Sequence, residues 1–181
     1  LEELYEDAPC GHVSALPERT LREEEADFVC QGEGPYTVLG ILETLRAAKD
    51  ASSAVPGLWY RDGQTIRATP PAPLIRDLDQ ELPGIPWELL PMEKYRAHNW
   101  HAFSNGNRRQ PYASFYTTLG CPYACNFCCI NAPFGGSGYR RWSPKSVIGW
   151  IDRLVADYGV RNIKIVDEMF VLNRSHVLGI C

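Results

Sequence analysis

No run of apolar residues in this chain approaches the roughly 18 needed to cross a bilayer, so the sequence offers no helical membrane span. It also lacks the basic start and apolar middle of a secretory signal peptide, and the expectation is a cytoplasmic protein. An excess of basic residues is missing as well. Eighteen Lys and Arg stand against 22 Asp and Glu, for a net charge of −4, so nothing favours nucleic acid or another polyphosphate as partner. The acidic residues gather at Leu1–Asp7 and Glu23–Asp27 and read as solvated helix faces. There is no initiator methionine before Leu1, and Cys181 falls inside a helical pattern. The expectation is an internal piece of a longer polypeptide. With 181 residues, 45% hydrophobic and 22% charged, the composition is that of an ordinary globular protein of one or two domains.

What the sequence does have is cysteine in an uneven distribution. Of seven, three occupy Cys121, Cys125 and Cys128, with Cys129 adjacent. A secreted disulfide framework spreads an even number of cysteines through a shorter chain. Local crowding points instead to a metal. Zinc sites pair their ligands as Cys-x2-Cys with a distant second pair, and no second pair exists here. Cys129 or His101 remains as a possible fourth ligand of a zinc site in a non-catalytic binding module. Cys10, Cys30 and Cys181 read as isolated thiols.

The pattern along the chain is α/β. Gly11–Pro17 reads as a loop, followed by a short helix at Leu21–Glu25 and a strand at Asp27–Gln31. That strand closes on Gly32-Glu33-Gly34. Val38, Leu39, Ile41, Leu42 and Leu45 then recur at helical spacing over Tyr36–Lys49. A strand running through a glycine-rich turn into a helix is the repeating unit of a doubly wound, Rossmann-like domain. Asp62-Gly63, between Leu58–Arg61 and Gln64–Thr69, predicts a β-hairpin. Residues 1–69 therefore form one expected α/β domain. Frequent prolines make residues 70–110 an expected extended linker. Residues 111–181 form a second α/β region. Its strand Tyr112–Thr118 leads into the cysteine loop. A helix follows, capped by Ser143 with Pro144 in its first turn and Gly159 at its end, carrying Val147, Ile151, Leu154, Val155 and Tyr158 as its buried stripe. The next strand is Asn162–Val166, ending at Asp167-Glu168, and a βαβ unit of this kind makes the two strands parallel.

Iron–sulfur clusters are held by thiolates, normally four for a [4Fe–4S] cube. The segment CPYACNFC supplies three from eight residues, which leaves one iron with an open position. Open coordination separates a reactive metal site from a closed structural one. This segment resembles the signature of the radical S-adenosylmethionine superfamily, Cys-x3-Cys-x2-Cys with an aromatic residue before the third cysteine, here Phe127. The resemblance implies that Cys121, Cys125 and Cys128 hold the cluster and that Phe127 lies near the adenine of bound S-adenosylmethionine. It further implies that the pair Asp167 and Glu168 offers a carboxylate to the cofactor's amino group, by a charge-assisted bond. The alternative for that pair is an ordinary helix-entry acid. The implied chemistry is cleavage of S-adenosylmethionine to a 5′-deoxyadenosyl radical, with an electron donor reducing the cluster. The implied fold is the start of a partial TIM barrel.

Upstream, Gly11-His12, Leu16-Pro17-Glu18, Ala26–Val29 and Gly32-Glu33-Gly34 resemble the second half of the cobalamin-binding domain that precedes the barrel in one large radical subfamily. Asp77-Leu78-Asp79, Leu82-Pro83 and Pro86-Trp87 resemble that subfamily's linker. Gly11, His12, Gly32, Glu33 and Gly34 are then candidate cobalamin contacts, since glycines let backbone approach a large planar ligand. The alternative is that Gly32 and Gly34 only make tight turns. Two departures stand out. No Asp-x-His-x-x-Gly loop for cobalt's lower ligand occurs, and the residues before Gly11 are acidic where the subfamily shows an apolar strand. The resemblance implies methyl transfer to a carbon of a small-molecule substrate, with radical cyclisation or rearrangement as the second possibility.

Overall fold

The computed structural model describes residues 10–47, 55–97 and 110–181. These fall into two compact units: residues up to Ile75 together with Pro122–Gly138, and Arg76–Cys121 together with Tyr139–Cys181.

The first unit begins with two short helices, α1 (Cys10–Ala15) and α2 (Pro17–Glu23). The stretch expected to be a loop is thus largely helical. The break falls at Leu16, whose φ of −131° and ψ of 52° are non-helical, since the proline that follows disfavours the α region there, and Pro17 takes the first helical position where its missing N–H is no loss. Strand β1 (Phe28–Cys30) leads through the glycine turn into α3 (Pro35–Arg46), and the hairpin strands β2 (Leu58–Asp62) and β3 (Thr65–Ala68) follow. Among the described residues the sheet order is β1-β2-β3 and every pairing is antiparallel, with Val29 opposite Trp59 and Trp59 opposite Ala68. The unit is α/β, but these strands do not form the parallel sheet of a doubly wound domain. The reason lies in the return path. Gly57 O accepts from Gln31 N at 2.8 Å, so the chain re-enters beside the end of β1 and runs back along it. Leu21, Val29, Val55 and Leu58 are buried, with Ile41 and Tyr60 packed on the last two. The apolar stripe of α3 fares differently: Val38, Leu39, Leu42 and Leu45 are exposed, while Thr37 is fully buried and donates to Pro56 O at 2.8 Å.

Of the expected extended linker 70–110, residues 98–109 lie outside the described residues; those from Arg76 to Ala97 open the second unit. They are packed. Leu78 and Trp87 are buried, as is Met92. The short helix α4 (Leu78–Glu81) is capped by Asp77, whose carboxylate accepts from Gln80 N. Strand β4 (Tyr112–Phe115) is followed by β5 (Thr118–Leu119), β6 (Arg140–Arg141), α5 (Pro144–Tyr158), β7 (Asn162–Ile165) and α6 (Arg174–Ile180). As expected, β4 and β7 are parallel, in register from Tyr112 opposite Asn162 to Phe115 opposite Ile165. The caps of α5 are those read from sequence: Ser143 Oγ accepts from Ser146 N, and Gly159 ends the helix at φ +61°. Val147 and Leu154 are fully buried, but Val155 is exposed, at the margin of the stripe. Around α5, Trp87, Phe115, Trp150 and Trp142 form a chain of edge-to-face contacts at 6.3, 5.8 and 5.3 Å. The indole N–H groups of Trp142 and Trp150 donate to Leu82 O and Pro83 O at 2.7 and 2.8 Å. Pro83 thus serves here through its own carbonyl, which accepts although the residue has no N–H to donate, and Leu82 beside it also accepts through its carbonyl.

Asp79 of α4 reinforces the start of α5 by accepting from Ser143 N at 3.0 Å and Ser143 Oγ at 3.2 Å. Partial burial pushes its carboxyl pKa up, but hydrogen bonds from Ser146 and Ser143 outweigh this and hold it below the ordinary value of 3.8. A lowered carboxylate pKa contributes stability that is present above the unfolded value and is lost as pH falls through the folded one. Asp79→Ala is expected to cost about 1–2 kcal/mol at pH 7. The gap from the parent chain should narrow as pH drops below the ordinary carboxylate range, and denaturant unfolding at neutral and acid pH measures both. Among the described residues, no helix is long and apolar enough to cross a membrane.

Candidate functional site

The cysteine segment is an excursion closed at its base. β5 and β6 pair antiparallel, Thr118 with Arg141 and Leu119 with Arg140, so they form a neck from which residues 120–139 loop out. Gly120, at φ +80°, turns the chain out of β5 immediately before Cys121. Cys121 is half-buried and belongs to the second unit; Cys125 and Cys128 are exposed and belong to the first. Cys128 N donates to Cys125 O at 3.1 Å, a tight turn that brings these two residues round together. Asn131 Nδ2 donates to Tyr123 O at 2.8 Å, bracing the same turn. Cys129 is exposed, and its carbonyl accepts from Ala132 N. His101, the other candidate for a fourth zinc ligand, lies outside the described residues.

Among the described residues no three His, Cys, Asp or Glu side chains are gathered closely enough to hold a metal ion. The donor set nonetheless suits an iron–sulfur cube. It consists of three soft thiols on one short segment, none of them in a disulfide, two of them open to an incoming cluster. Phe127 stands between them with its ring 94% exposed, free to stack against a planar ligand.

The acidic pair at the end of β7 divides sharply. Asp167 is spent inside the second unit: its carboxylate accepts from Thr117 N at 2.6 Å, Thr117 Oγ1 at 2.5 Å and Thr118 N at 3.2 Å. Thr117 Oγ1 also lies 2.9 Å from His176 Nε2. The single hydroxyl proton of Thr117 goes to the carboxylate, so His176 Nε2 must be the donor to the hydroxyl oxygen. His176 is 1% exposed, and Asn173 Oδ1 holds its backbone by accepting from His176 N at 2.9 Å. Burial pushes the His176 pKa down, against the pull of Asp167. Among the described residues its Nδ1 is buried without a partner, as are Thr118 Oγ1 and Tyr139 Oη. Glu168, one residue on, is exposed. Sequence reasoning treated these carboxylates as interchangeable and missed Thr117 and His176 altogether, because a contact across 50 residues leaves no local signature.

In the first unit, α1 is tied to the glycine turn. Ser14 Oγ contacts Gly32 N and O at 3.3 and 3.4 Å, and Gln31 Nε2 donates to Ser14 O. This draws the helix bearing Gly11 and His12 to the turn that bears Gly32, Glu33 and Gly34. His12 is exposed; Gly32 and Gly34 have φ of +105° and +92°, and among the described residues a Cβ at Gly34 would meet nothing within 4 Å. Glu33 is engaged structurally, its carboxylate accepting from Ile75 N at 2.8 Å.

The chain thus carries a thiol-bearing loop after β5 and a carboxylate at the end of β7, the strand parallel to β4. No protein-family model matches the chain. It is 33% identical over 173 residues to an uncharacterized methyltransferase of Pyrococcus horikoshii, covering 93% of this chain and 34% of the relative. It is 31% identical over 158 residues to the anaerobic magnesium-protoporphyrin IX monomethyl ester cyclase of a Synechocystis species, covering 85% of this chain and 28% of the relative. Among solved structures, TsrM from Kitasatospora setae, a radical S-adenosylmethionine methyltransferase determined with cobalamin and a [4Fe–4S] cluster bound, shares the fold. The TM-score is 0.63 at 19% identity, over 94% of this chain and 32% of that one. The resemblance carried by the cysteine loop is thereby borne out: along most of its length the chain is similar in sequence to a methyltransferase and a cyclase, and it shares the fold of a radical S-adenosylmethionine methyltransferase determined with cobalamin. The chain spans about a third of the length of the curated relatives it matches.

Proposed function

We propose that this chain is the cluster-bearing part of a cobalamin-dependent radical S-adenosylmethionine enzyme that transfers a methyl group to a carbon of a small-molecule substrate. The observation that carries the reading is the loop Cys121–Cys128, thrown out from the β5–β6 neck with three thiols and one exposed aromatic ring. When bound, the cluster with S-adenosylmethionine supplies a 5′-deoxyadenosyl radical, and cobalamin supplies a methyl carrier.

The chain's own residues do the holding and orienting. Cys121, Cys125 and Cys128 provide three thiolates and leave one iron for a chelating ligand. Phe127 covers the adenine. Glu168, exposed at the end of β7, accepts from the amino group of S-adenosylmethionine; Asp167 already serves Thr117 and Thr118. Gly11, His12, Gly32 and Gly34 line the approach for cobalamin, with Glu33 holding the turn to Ile75. Residues 1–69 are the cobalamin-side domain and residues 111–181 the first part of the barrel. An electron donor reduces the cluster. A second reading, radical cyclisation, is favoured by the likeness to the monomethyl ester cyclase.

The test is anaerobic reconstitution of the chain with iron and sulfide, followed by electron paramagnetic resonance of the reduced protein. A brown protein whose spectrum changes on adding S-adenosylmethionine is the expected result. Stoichiometric zinc with no response to S-adenosylmethionine would refute it. Cobalamin binding is measured separately, by retention through gel filtration.

A further inference from the structure

A buried polar chain runs from α6 to the base of the cysteine loop. His176 Nε2 donates to Thr117 Oγ1 at 2.9 Å, and Thr117 Oγ1 donates in turn to Asp167. The same carboxylate takes the backbone N–H groups of Thr117 and Thr118 at 2.6 and 3.2 Å. Thr117 and Thr118 are essentially inaccessible, at 0% and 1% exposure. A carboxylate that accepts three hydrogen bonds from one pair of residues is a fastener, and in a buried setting each bond is worth more than on the surface. What it fastens is the first strand of the neck. Thr118 and Leu119 are β5, and Cys121 lies two residues further on, past the Gly120 turn. Trp142 N donates to Thr117 O at 3.1 Å, so the second strand of the neck is held to the same point. On the other side, β7 delivers Asp167 at a fixed height, because Val166 N donates to Phe115 O at 3.1 Å.

We propose that Asp167, Thr117 and His176 form a latch that positions Cys121 for cluster binding, and that Asp167 acts through this latch and not as a ligand of S-adenosylmethionine. The proposal rests on the cluster reading above and assigns the two neighbouring carboxylates different work: Asp167 holds protein, Glu168 faces the cofactor.

The test uses the whole chain and five forms of it: the parent, Asp167→Ala, Thr117→Val, Thr117→Ser and Glu168→Gln. Each is first confirmed as folded by circular dichroism, then reconstituted. Iron retained against a chelator and the resonance spectrum of the reduced cluster are read without S-adenosylmethionine and then with it. Asp167→Ala and Thr117→Val are expected to lose iron roughly tenfold faster and to alter the cofactor-free spectrum. Thr117→Ser, which keeps the hydroxyl, should restore both. Glu168→Gln should load like the parent and lose only the response to S-adenosylmethionine. Normal loading and a normal cofactor-free spectrum in Asp167→Ala, with the cofactor response alone abolished, overturns the latch and makes Asp167 a ligand. If the parent itself holds no iron, the cluster reading fails. Amide exchange in the metal-free chain then decides the latch: Asp167→Ala should speed exchange at Thr117 and Thr118 about tenfold, and unchanged rates overturn it.

Discussion

Replacing any one of Cys121, Cys125 or Cys128 with serine is expected to strip iron from the reconstituted chain, while Cys129→Ser leaves it loaded. A hydroxyl is a harder and weaker donor to iron than a thiolate, and two remaining thiolates leave two corners of the cube without protein ligands. The fall in iron retained against a chelator should be at least about tenfold for each member of the triad. Cys129 is the informative control. It adjoins Cys128, is equally exposed, and its carbonyl is engaged by Ala132 N, so its loss tests thiol placement instead of thiol number. Iron and sulfide are measured chemically after anaerobic gel filtration. Retention of a full cluster by Cys125→Ser, or its loss in Cys129→Ser, would contradict the assignment.

Gly57→Ala is expected to be the most damaging substitution outside the loop. Gly57 has φ +74°, a conformation unfavourable for alanine. A Cβ there would lie 2.7 Å from Thr37 Oγ1, 3.0 Å from Gln31 O and 3.1 Å from Ala72 Cβ. Two of these neighbours cannot yield cheaply. Thr37 is fully buried and donates to Pro56 O, and Gln31 is held because its N–H donates to Gly57 O. Backbone strain and overpacking together should cost about 2–4 kcal/mol. Thermal unfolding monitored by circular dichroism reads this directly. Gly34→Ala is the comparison: its φ is also positive, yet among the described residues a Cβ there meets nothing within 4 Å, so only the backbone part of the penalty remains.

The features legible from sequence share one property: their causes are local. Ser143, Pro144 and Gly159 mark both ends of α5 within single turns of the chain, Asp62-Gly63 marks the hairpin, and the cysteine spacing is itself the signal. The parallel pairing of β4 with β7 was legible too, from the strand–helix–strand order between them; elsewhere, where the cause is distant, the reading differs from the structure. α1 has no capping pattern and depends on Ser14 meeting Gly32, 18 residues away. Periodicity in α3 placed Val38, Leu39, Leu42 and Leu45 on one face, but a period says nothing about what packs on that face, and the structure leaves it exposed. The proline-rich stretch looked extended because prolines break helices, whereas Leu78, Trp87 and Met92 between them were the better signal of packing. The division of labour between Asp167 and Glu168 was invisible for the same reason: adjacent carboxylates are alike until the fold decides which one meets Thr117.

The β5–β6 neck has a consequence for how the protein is assembled. Because Leu119 and Arg140 are already paired, the two ends of the thiol-bearing excursion are joined by the polypeptide's own ladder. The ladder itself offsets the entropy of closing that ring, so a bound metal need not supply it. A cluster seated there would add its own bonds to a loop whose two ends the backbone already holds together.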